Sequence, residues 1–262
     1  MTDTPRTIYR EKTYVCGEYL DVYIFPVYKR PGKRSKKASP TSATQAKLNA
    51  RHAAEKLTRL HHANFTPYDL EIGLSYRENP ESDEEATRNV GNYLRRLRRL
   101  RKKLGLPPLK YICVTERSKS GRYHHHVTVN GGVDRDTLES LWGLGYANSR
   151  RLQFSENGLT ALSRYIVKEP IGGKRWNASR NLVDPEPRTN DSRIRSRRRA
   201  EALAKDREDR EPWEKLYPDY HLAEVVPFHN EENGGVYLFA RLYRKDGKYI
   251  APKRSVKRRK KE

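Results

Sequence analysis

The stretch Tyr111–Asn130 (YICVTERSKSGRYHHHVTVN) constrains the fold of this chain more than any other. Its two ends, Tyr111–Glu116 and His124–Asn130, are rich in β-branched and aromatic residues, which favours strands. Between them, Arg117–Tyr123 is polar and contains serine and glycine, which suits a hairpin turn. The stretch therefore predicts two adjacent antiparallel strands.

Three consecutive histidines lie in the second of these strands. Because side chains alternate along a strand, His124 and His126 share one face and His125 lies on the other. Two imidazoles on one face can hold a single metal ion, and Glu116, at the end of the partner strand, can add a carboxylate. Glu71 is a second candidate for this carboxylate. The histidines alone are also compatible with a structural zinc site or with ordinary surface residues.

A predicted helix, Leu159–Pro170 (LTALSRYIVKEP), carries the second chemical signal. Ser155 is the expected N-cap and Pro170 ends the helix. One apolar stripe recurs at helical spacing, at Leu159, Leu162 and Ile166. Tyr165 and Lys168, three residues apart, share another face. A lone helical tyrosine usually packs. Near a His/His/Glu group, however, a tyrosine and a lysine indicate phosphodiester transfer through a covalent tyrosine intermediate.

The segments around these two features predict a regular order of elements. Tyr68–Tyr76 alternates as a half-buried strand, and Ser82–Leu104 has an acidic first turn and a basic last turn, as expected of a helix. A short helix, Arg135–Trp142, and a strand, Ser149–Phe154, follow. The order β-α-β-β-α-β-α predicts an α+β fold with a mainly antiparallel sheet and helices on one face.

Composition divides the chain into three predicted parts: an N-terminal extension at 1–66, a central domain at 67–182 and a basic C-terminal region at 183–262. The extension has a strand-like stretch, Tyr14–Tyr28, and a helix, Ser42–His62, whose His61 and His62 are expected at the helix end or surface. The C-terminal region is expected to contain a solvated helix, Arg193–Arg210. A small hairpin is expected near Asp246-Gly247, followed by a basic tail that adds non-specific DNA affinity.

The charge of the chain indicates a polyanionic partner. The 262 residues carry a net charge of +22, and the mean hydropathy is −1.02. Nucleic acid is the usual partner of such a chain, although a ribosomal-type basic surface would give the same charge. Trp176 with Arg175 and Arg180 is expected either to stack on a base and neutralise phosphates, or to pack onto the central domain.

Other features of the sequence restrict its location and activity. No apolar run is long enough to span a membrane, and the N-terminus lacks the apolar core of a signal peptide. Cys16 and Cys113 are the two cysteines, and they lie far apart, which fits a reducing cytoplasm. The sequence also contains no helicase P-loop, so DNA unwinding would require another protein.

Taken together, these motifs resemble those of rolling-circle replication initiators of the HUH endonuclease superfamily. The similarity is to replication-associated proteins of bacterial plasmids, phages and integrative elements, and it covers roughly Pro67 to Leu182. His124-His125-His126 matches the motif of two histidines around a bulky residue. Tyr165-Ile166-Val167-Lys168 matches the Tyr-x-x-Lys motif, and Tyr68–Tyr76 (YDLEIGLSY) fits the first strand motif.

The resemblance implies a single-tyrosine nuclease acting on single-stranded origin DNA in a bacterial cytoplasm. Tyr165 would become joined to a 5′-phosphate and leave a 3′-hydroxyl to prime synthesis, while Lys168 would position the phosphate or stabilise developing charge. Glu116, His124 and His126 would bind a divalent metal ion, Mg²⁺ or Mn²⁺. The implied partners are a host helicase and a DNA polymerase.

Three alternative functions remain open. Relaxases and single-strand transposases use a similar site, but relaxases commonly carry the tyrosine near the N-terminus. Here Tyr165 follows the histidines, which favours the replication type. The third alternative is a non-catalytic DNA-binding repressor with the same fold, which would lack metal-dependent nicking.

Overall fold

The computed structural model describes residues 8–27, 43–166, 175–205, 209–229 and 235–248. This part of the chain forms two five-stranded antiparallel sheets and six helices, which confirms the predicted α+β class. In chain order the elements are β1 (Ile8–Cys16), β2 (Tyr19–Val27), α1 (Ala43–Asn64), β3 (Leu70–Ser75), α2 (Asp83–Lys103), β4 (Tyr111–Arg117), β5 (Tyr123–Val129), α3 (Arg135–Ser140), β6 (Ala147–Arg151), α4 (Thr160–Ile166), β7 (Asn177–Ala178), β8 (Arg188–Asn190), α5 (Arg197–Lys205), α6 (Glu211–Leu216), β9 (Tyr220–His229) and β10 (Val236–Arg244).

The central sheet has the strand order β6-β3-β5-β4-β7. From β3 to α4 its elements follow the predicted β-α-β-β-α-β-α order. Helix α2 begins after the N-cap Ser82, whose hydroxyl accepts a hydrogen bond from the Glu85 amide at 3.2 Å. Its acidic first turn and basic last turn complement the helix dipole, as the sequence predicts. Strands β4 and β5 form the predicted hairpin.

Helices cover both faces of the central sheet, so the prediction of helices on one face is wrong. Helices α2 and α3 pack with Ile72 and Val127 on one face. Helices α1 and α4 pack with Ile112 and Val114, whose side chains lie on the opposite face. The second layer was missed because α1 comes from the segment interpreted as an N-terminal extension.

The second sheet, called here the terminal sheet, combines strands from both ends of the chain in the order β8-β1-β2-β10-β9. Its core contains Ile24, Leu238 and Trp213, with α5 and α6 packed on it. The C-terminal hairpin joins β9 to β10, and its register pairs His229 with Val236. The turn at Lys245-Asp246 comes after this hairpin, so the hairpin predicted around Asp246-Gly247 is wrongly placed. The three-part division at 66 and 182 remains a prediction, and strands from the two outer parts share this sheet.

Buried polar and aromatic contacts join the terminal sheet to the central region. Asp21 and Arg241 form a fully buried bidentate ion pair at 2.8 and 2.9 Å, and Arg241 also donates to the Thr160 hydroxyl. The Tyr19 ring stacks on His62 with centroids 4.1 Å apart. The Tyr19 hydroxyl donates to the Ser155 carbonyl at 2.9 Å.

The start of helix α4 and the histidine pair of α1 both differ from the sequence prediction. Ser155 lies in a turn closed by Gly158, and α4 begins at Thr160, so Ser155 is not its N-cap. The predicted helix end at Pro170 lies outside the described residues. Gly158 has a positive φ of 59°, and a Cβ there would lie 2.1 Å from His62 Nε2. His61 and His62 are at the helix end, as expected, but both are buried.

Candidate metal centre and nucleophile

The β4–β5 hairpin brings the three predicted metal ligands together. Glu116 pairs with His124 across the two strands, and His126 lies two residues further along β5 on the same face. Glu116 Oε2 lies 2.5 Å from His124 Nε2 and 3.4 Å from His126 Nε2. One ligand atom from each residue lies within 4.8 Å of the others, so the group can hold a metal ion.

A second carboxylate orients His126. Glu71 Oε1 lies 3.2 Å from His126 Nδ1, which leaves the other ring nitrogen directed at Glu116. Nε2 of His126 is buried, and among the described residues it has no hydrogen-bond partner. Two imidazoles and a carboxylate suit Mn²⁺ and accept Mg²⁺, and a carboxylate behind a histidine ligand is a common supporting contact. The donor set therefore fits the expected divalent ion.

The electrostatics around Glu71 favour its ionised form. Burial alone would raise the pKa of this carboxyl, but hydrogen bonds with His126 and Arg150 hold it below the usual value. Arg150 Nε donates to Glu71 Oε2 at 2.5 Å. Glu71, the second carboxylate candidate, thus lies in the same cluster as the favoured Glu116.

His125 has a structural role on the opposite face of the sheet. Its Nε2 lies 2.7 Å from the Tyr76 hydroxyl and its Nδ1 lies 2.9 Å from the Thr115 hydroxyl. Burial, with a smaller effect of the neighbouring histidines, lowers its pKa to about 3. The ring is therefore neutral at physiological pH, and only the outer two histidines of the triplet face the cluster.

Tyr165 lies beside the histidine cluster on helix α4. Its ring packs edge-on against His126 with centroids 5.4 Å apart, and the residue is 54% exposed. The apolar stripe beside it is buried as predicted, with Leu159 and Ile166 in the core. The tyrosine is thus held close to the metal ligands and remains accessible to a substrate.

Arg150 is a cation near Tyr165 that the sequence interpretation missed. The hydrogen bond to Glu71 raises the pKa of Arg150 most, and the charge of Tyr165 contributes further. Lys168, the predicted cation, lies outside the described residues. The signal for Arg150 is one of register, since β6 places it opposite Glu71 across the sheet.

His61 connects the metal-ligand strand to the tyrosine helix. Its Nε2 lies 3.1 Å from the hydroxyl of Thr128 on β5, and its Nδ1 lies 3.0 Å from the hydroxyl of Ser163 on α4. Each of these hydroxyls is two residues from a residue of the cluster. Burial lowers the pKa of His61 to about 4, so the ring is neutral and the two hydrogen bonds are retained at neutral pH.

The predicted DNA-contacting residues lie along the opposite end of β4. Trp176 is half-buried and packs on the core under α1 and α4, in agreement with the packing alternative. Arg180 is exposed and lines a cavity of about 580 Å³ with Arg98 and Lys102. Tyr111, at the start of β4, also lines that cavity, whereas Glu116 is near the end of the strand. Arg175 is partly exposed and precedes β7 by two residues.

Comparison with known families gives one match. The model of a family of replication-associated proteins, the ORF2 type, matches residues 69–170, a segment that contains Glu71, Glu116, His124, His126 and Tyr165. The match covers less than half of the chain and associates this segment with DNA replication. No curated protein and no solved structure shows significant similarity. No helix in the described ranges is long and apolar enough to cross a membrane.

Proposed function

We propose that the protein is a metal-dependent endonuclease that nicks single-stranded DNA at a replication origin through a 5′-phosphotyrosine intermediate. The observation that carries this proposal is the packing of Tyr165 against His126, at 5.4 Å, within a group that can hold a metal ion. A nucleophile beside a His/His/Glu site is the arrangement that covalent phosphodiester cleavage needs.

In this proposal Glu116, His124 and His126 hold Mg²⁺ or Mn²⁺. A divalent ion bound there would polarise a non-bridging oxygen of the scissile phosphate. Glu71 fixes the orientation of His126 by its hydrogen bond to Nδ1, and His61 holds β5 against α4. These contacts restrict the movement of the ligands and of the tyrosine relative to each other.

The chemical step transfers the DNA 5′-phosphate to tyrosine. The hydroxyl oxygen of Tyr165 attacks phosphorus, the bond from phosphorus to the 3′-oxygen breaks, the phenol loses its proton and the departing oxygen gains one. Phenols ionise near pH 10, so the reaction benefits from cations that stabilise the phenolate. Arg150 is in place for this role, and Lys168 would position the phosphate.

The proposed substrate is an origin sequence in single-stranded or extruded form, because the tyrosine must reach a phosphate that a duplex does not shield. The released 3′-hydroxyl would prime rolling-circle synthesis by a host polymerase, with unwinding by a host helicase. Arg175, Trp176 and Arg180 are proposed to contact the DNA away from the metal. The family match of residues 69–170 supports this role in replication.

A covalent-adduct assay tests the proposal. Labelled single-stranded DNA that covers the origin of the protein's own element is incubated with the full chain and Mn²⁺, or with EDTA, and analysed on a denaturing protein gel. The proposal predicts a labelled protein band that requires the metal and is absent from Tyr165→Phe. DNA binding without any such band would indicate a non-catalytic DNA-binding protein.

A further inference from the structure

A groove with an aromatic floor lies between the terminal sheet and helix α1. Its volume is about 510 Å³, within the range of roughly 300–1,000 Å³ that is typical of ligand sites. Strands β1, β2, β9 and β10 and the first half of α1 line it, all outside the segment that the family model matches. Six aromatic side chains contribute: Tyr14, Tyr23, Phe25, Phe228, Tyr237 and Phe239.

These aromatic residues share one face of the sheet. The opposite face carries the alternate residues Ile24 and Leu238, which are buried under α5 and α6. Phe239 pairs with Tyr23 across two strands, with ring centroids 5.1 Å apart. Phe228 pairs with Tyr237, with centroids 6.2 Å apart, and Phe228 is 48% exposed. The face therefore presents paired rings to an open groove.

Cations surround this aromatic floor. Lys12 and Arg51 line the groove, and the Arg59 guanidinium lies 4.3 Å from the centre of the Tyr14 ring. Glu55 is the acidic residue among those lining the groove, and it is neutralised by Arg51 at 2.9 Å. The surface is thus both aromatic and positively charged.

We propose that this groove is a second binding surface for single-stranded DNA, separate from the metal centre. Stacked rings with neighbouring cations are the features by which proteins bind unpaired nucleic acid, because every base has a π-face and every nucleotide carries a phosphate. Bases stack on Phe228 and Tyr237, and phosphates lie against Lys12 and Arg51. A duplex has no free base faces to offer, and an apolar peptide would leave these cations unmatched.

Helix α1 connects the groove to the candidate active site. Arg51 lies in the groove, and His61, ten residues further along the same helix, contacts Thr128 and Ser163 beside the metal ligands. Ten residues of helix span about 15 Å. A strand held in the groove is therefore a short distance from Tyr165, so the groove can retain DNA that the nuclease site cuts.

The first test measures the affinity of the full chain for fluorescein-labelled oligothymidylate in EDTA, by fluorescence polarisation. The variant Phe228→Leu/Tyr237→Leu keeps apolar bulk but removes both rings, and its Kd is expected to rise at least about tenfold. The matched variant Phe228→Tyr/Tyr237→Phe keeps both rings and is expected to bind as the parent does. Equal affinity of the parent and the leucine variant would overturn the proposal.

Charge and position are tested separately. Lys12→Gln/Arg51→Gln is expected to lower the slope of log Kd against log salt by about 1.4, or about 0.7 per phosphate contact. Arg199→Gln, on α5 behind the sheet, is the control and should leave the slope unchanged. Photocrosslinking with iodouracil-containing DNA is expected to label peptides from β2, β9 and β10. Crosslinks confined to 67–182, or tighter binding of oligouridylate than of oligothymidylate, would contradict the assignment.

A failure of this inference can be distinguished from a failure of the proposed nuclease. The leucine variant should still form the Tyr165 adduct on a saturating amount of a short origin strand, because its metal centre is intact. Loss of the adduct in Phe228→Leu/Tyr237→Leu, with circular dichroism unchanged, would show that the groove is not a separate surface.

Discussion

The central and terminal sheets have the same number of antiparallel strands but present different surfaces. On its α1–α4 face the central sheet carries Glu71 and Glu116, both almost fully buried. On its α1 face the terminal sheet carries rings such as Phe228, which are open to solvent. Buried charged groups have fixed partners and are suited to metal binding and catalysis, whereas open rings are suited to stacking. Similar sheet architecture therefore accommodates chemistry in one region and binding in the other.

The largest expected effect separates chemistry from binding. Glu116→Gln removes the ligand charge but keeps the side-chain shape, and nicking is expected to fall at least about a thousandfold, or roughly 4 kcal/mol of barrier. The affinity for oligothymidylate in EDTA should not change. The matched control Glu84→Gln, on exposed helix α2, should nick normally. Nicking by Glu116→Gln within tenfold of the parent would exclude Glu116 as a ligand.

The second effect concerns the joint between the two regions. Arg241→Met leaves Asp21 buried without its ion-pair partner, which is expected to lower the free energy of unfolding by about 3–5 kcal/mol. Chemical denaturation measures this loss. Arg10→Met removes a partner of the exposed Asp191 and serves as the control, since exposed pairs contribute little. Equal losses in both variants would show that burial of the Asp21–Arg241 pair is unimportant.

A third prediction concerns pH. His61 has a pKa of about 4 in the folded protein, against about 6.5 when unfolded, so the unfolded chain binds more protons between these values. Stability should therefore fall as the pH drops from about 6.5 to about 4, with His61 contributing on the order of 3 kcal/mol. His61→Gln should reduce this dependence, and the exposed His52→Gln should not. An unchanged dependence in His61→Gln would contradict the assignment.

The smallest effect is expected at Glu71. Glu71→Gln weakens the orientation of His126 but leaves Glu116, His124 and His126 in place, so Mn²⁺ affinity should fall about 10- to 100-fold. Titration of nicking against Mn²⁺ measures the shift, and saturating metal should largely restore the rate. A loss that excess Mn²⁺ does not reverse would indicate that Glu71 is itself a ligand, equivalent to Glu116.

The central region could be predicted from sequence because its signals are local. The hairpin of β4 and β5 depends on alternation and on a turn within 20 residues, and helix α2 on its own caps and stripe. The placement of Glu116, His124 and His126 on one face follows from the same alternation. The coordinates bring these three together as the spacing predicted.

The terminal sheet could not be predicted because its pairings are not local. Strand β2 lies beside β10, with Ile24 opposite Leu238, and no short-range pattern specifies such a pair. The burial of His61 and His62 depends on partners from β5 and β2. Arg150 reaches the cluster through the register of β6 on β3. These features require knowledge of which strands are neighbours.

Mass spectrometry of the DNA adduct tests the central claim most directly. The full chain is incubated with single-stranded origin DNA and Mn²⁺, digested with nuclease and protease, and the modified peptide is sequenced. The proposed mechanism predicts a nucleotide joined through its 5′-phosphate to Tyr165. Cleaved DNA without any adduct, or an adduct on a different residue, would contradict it.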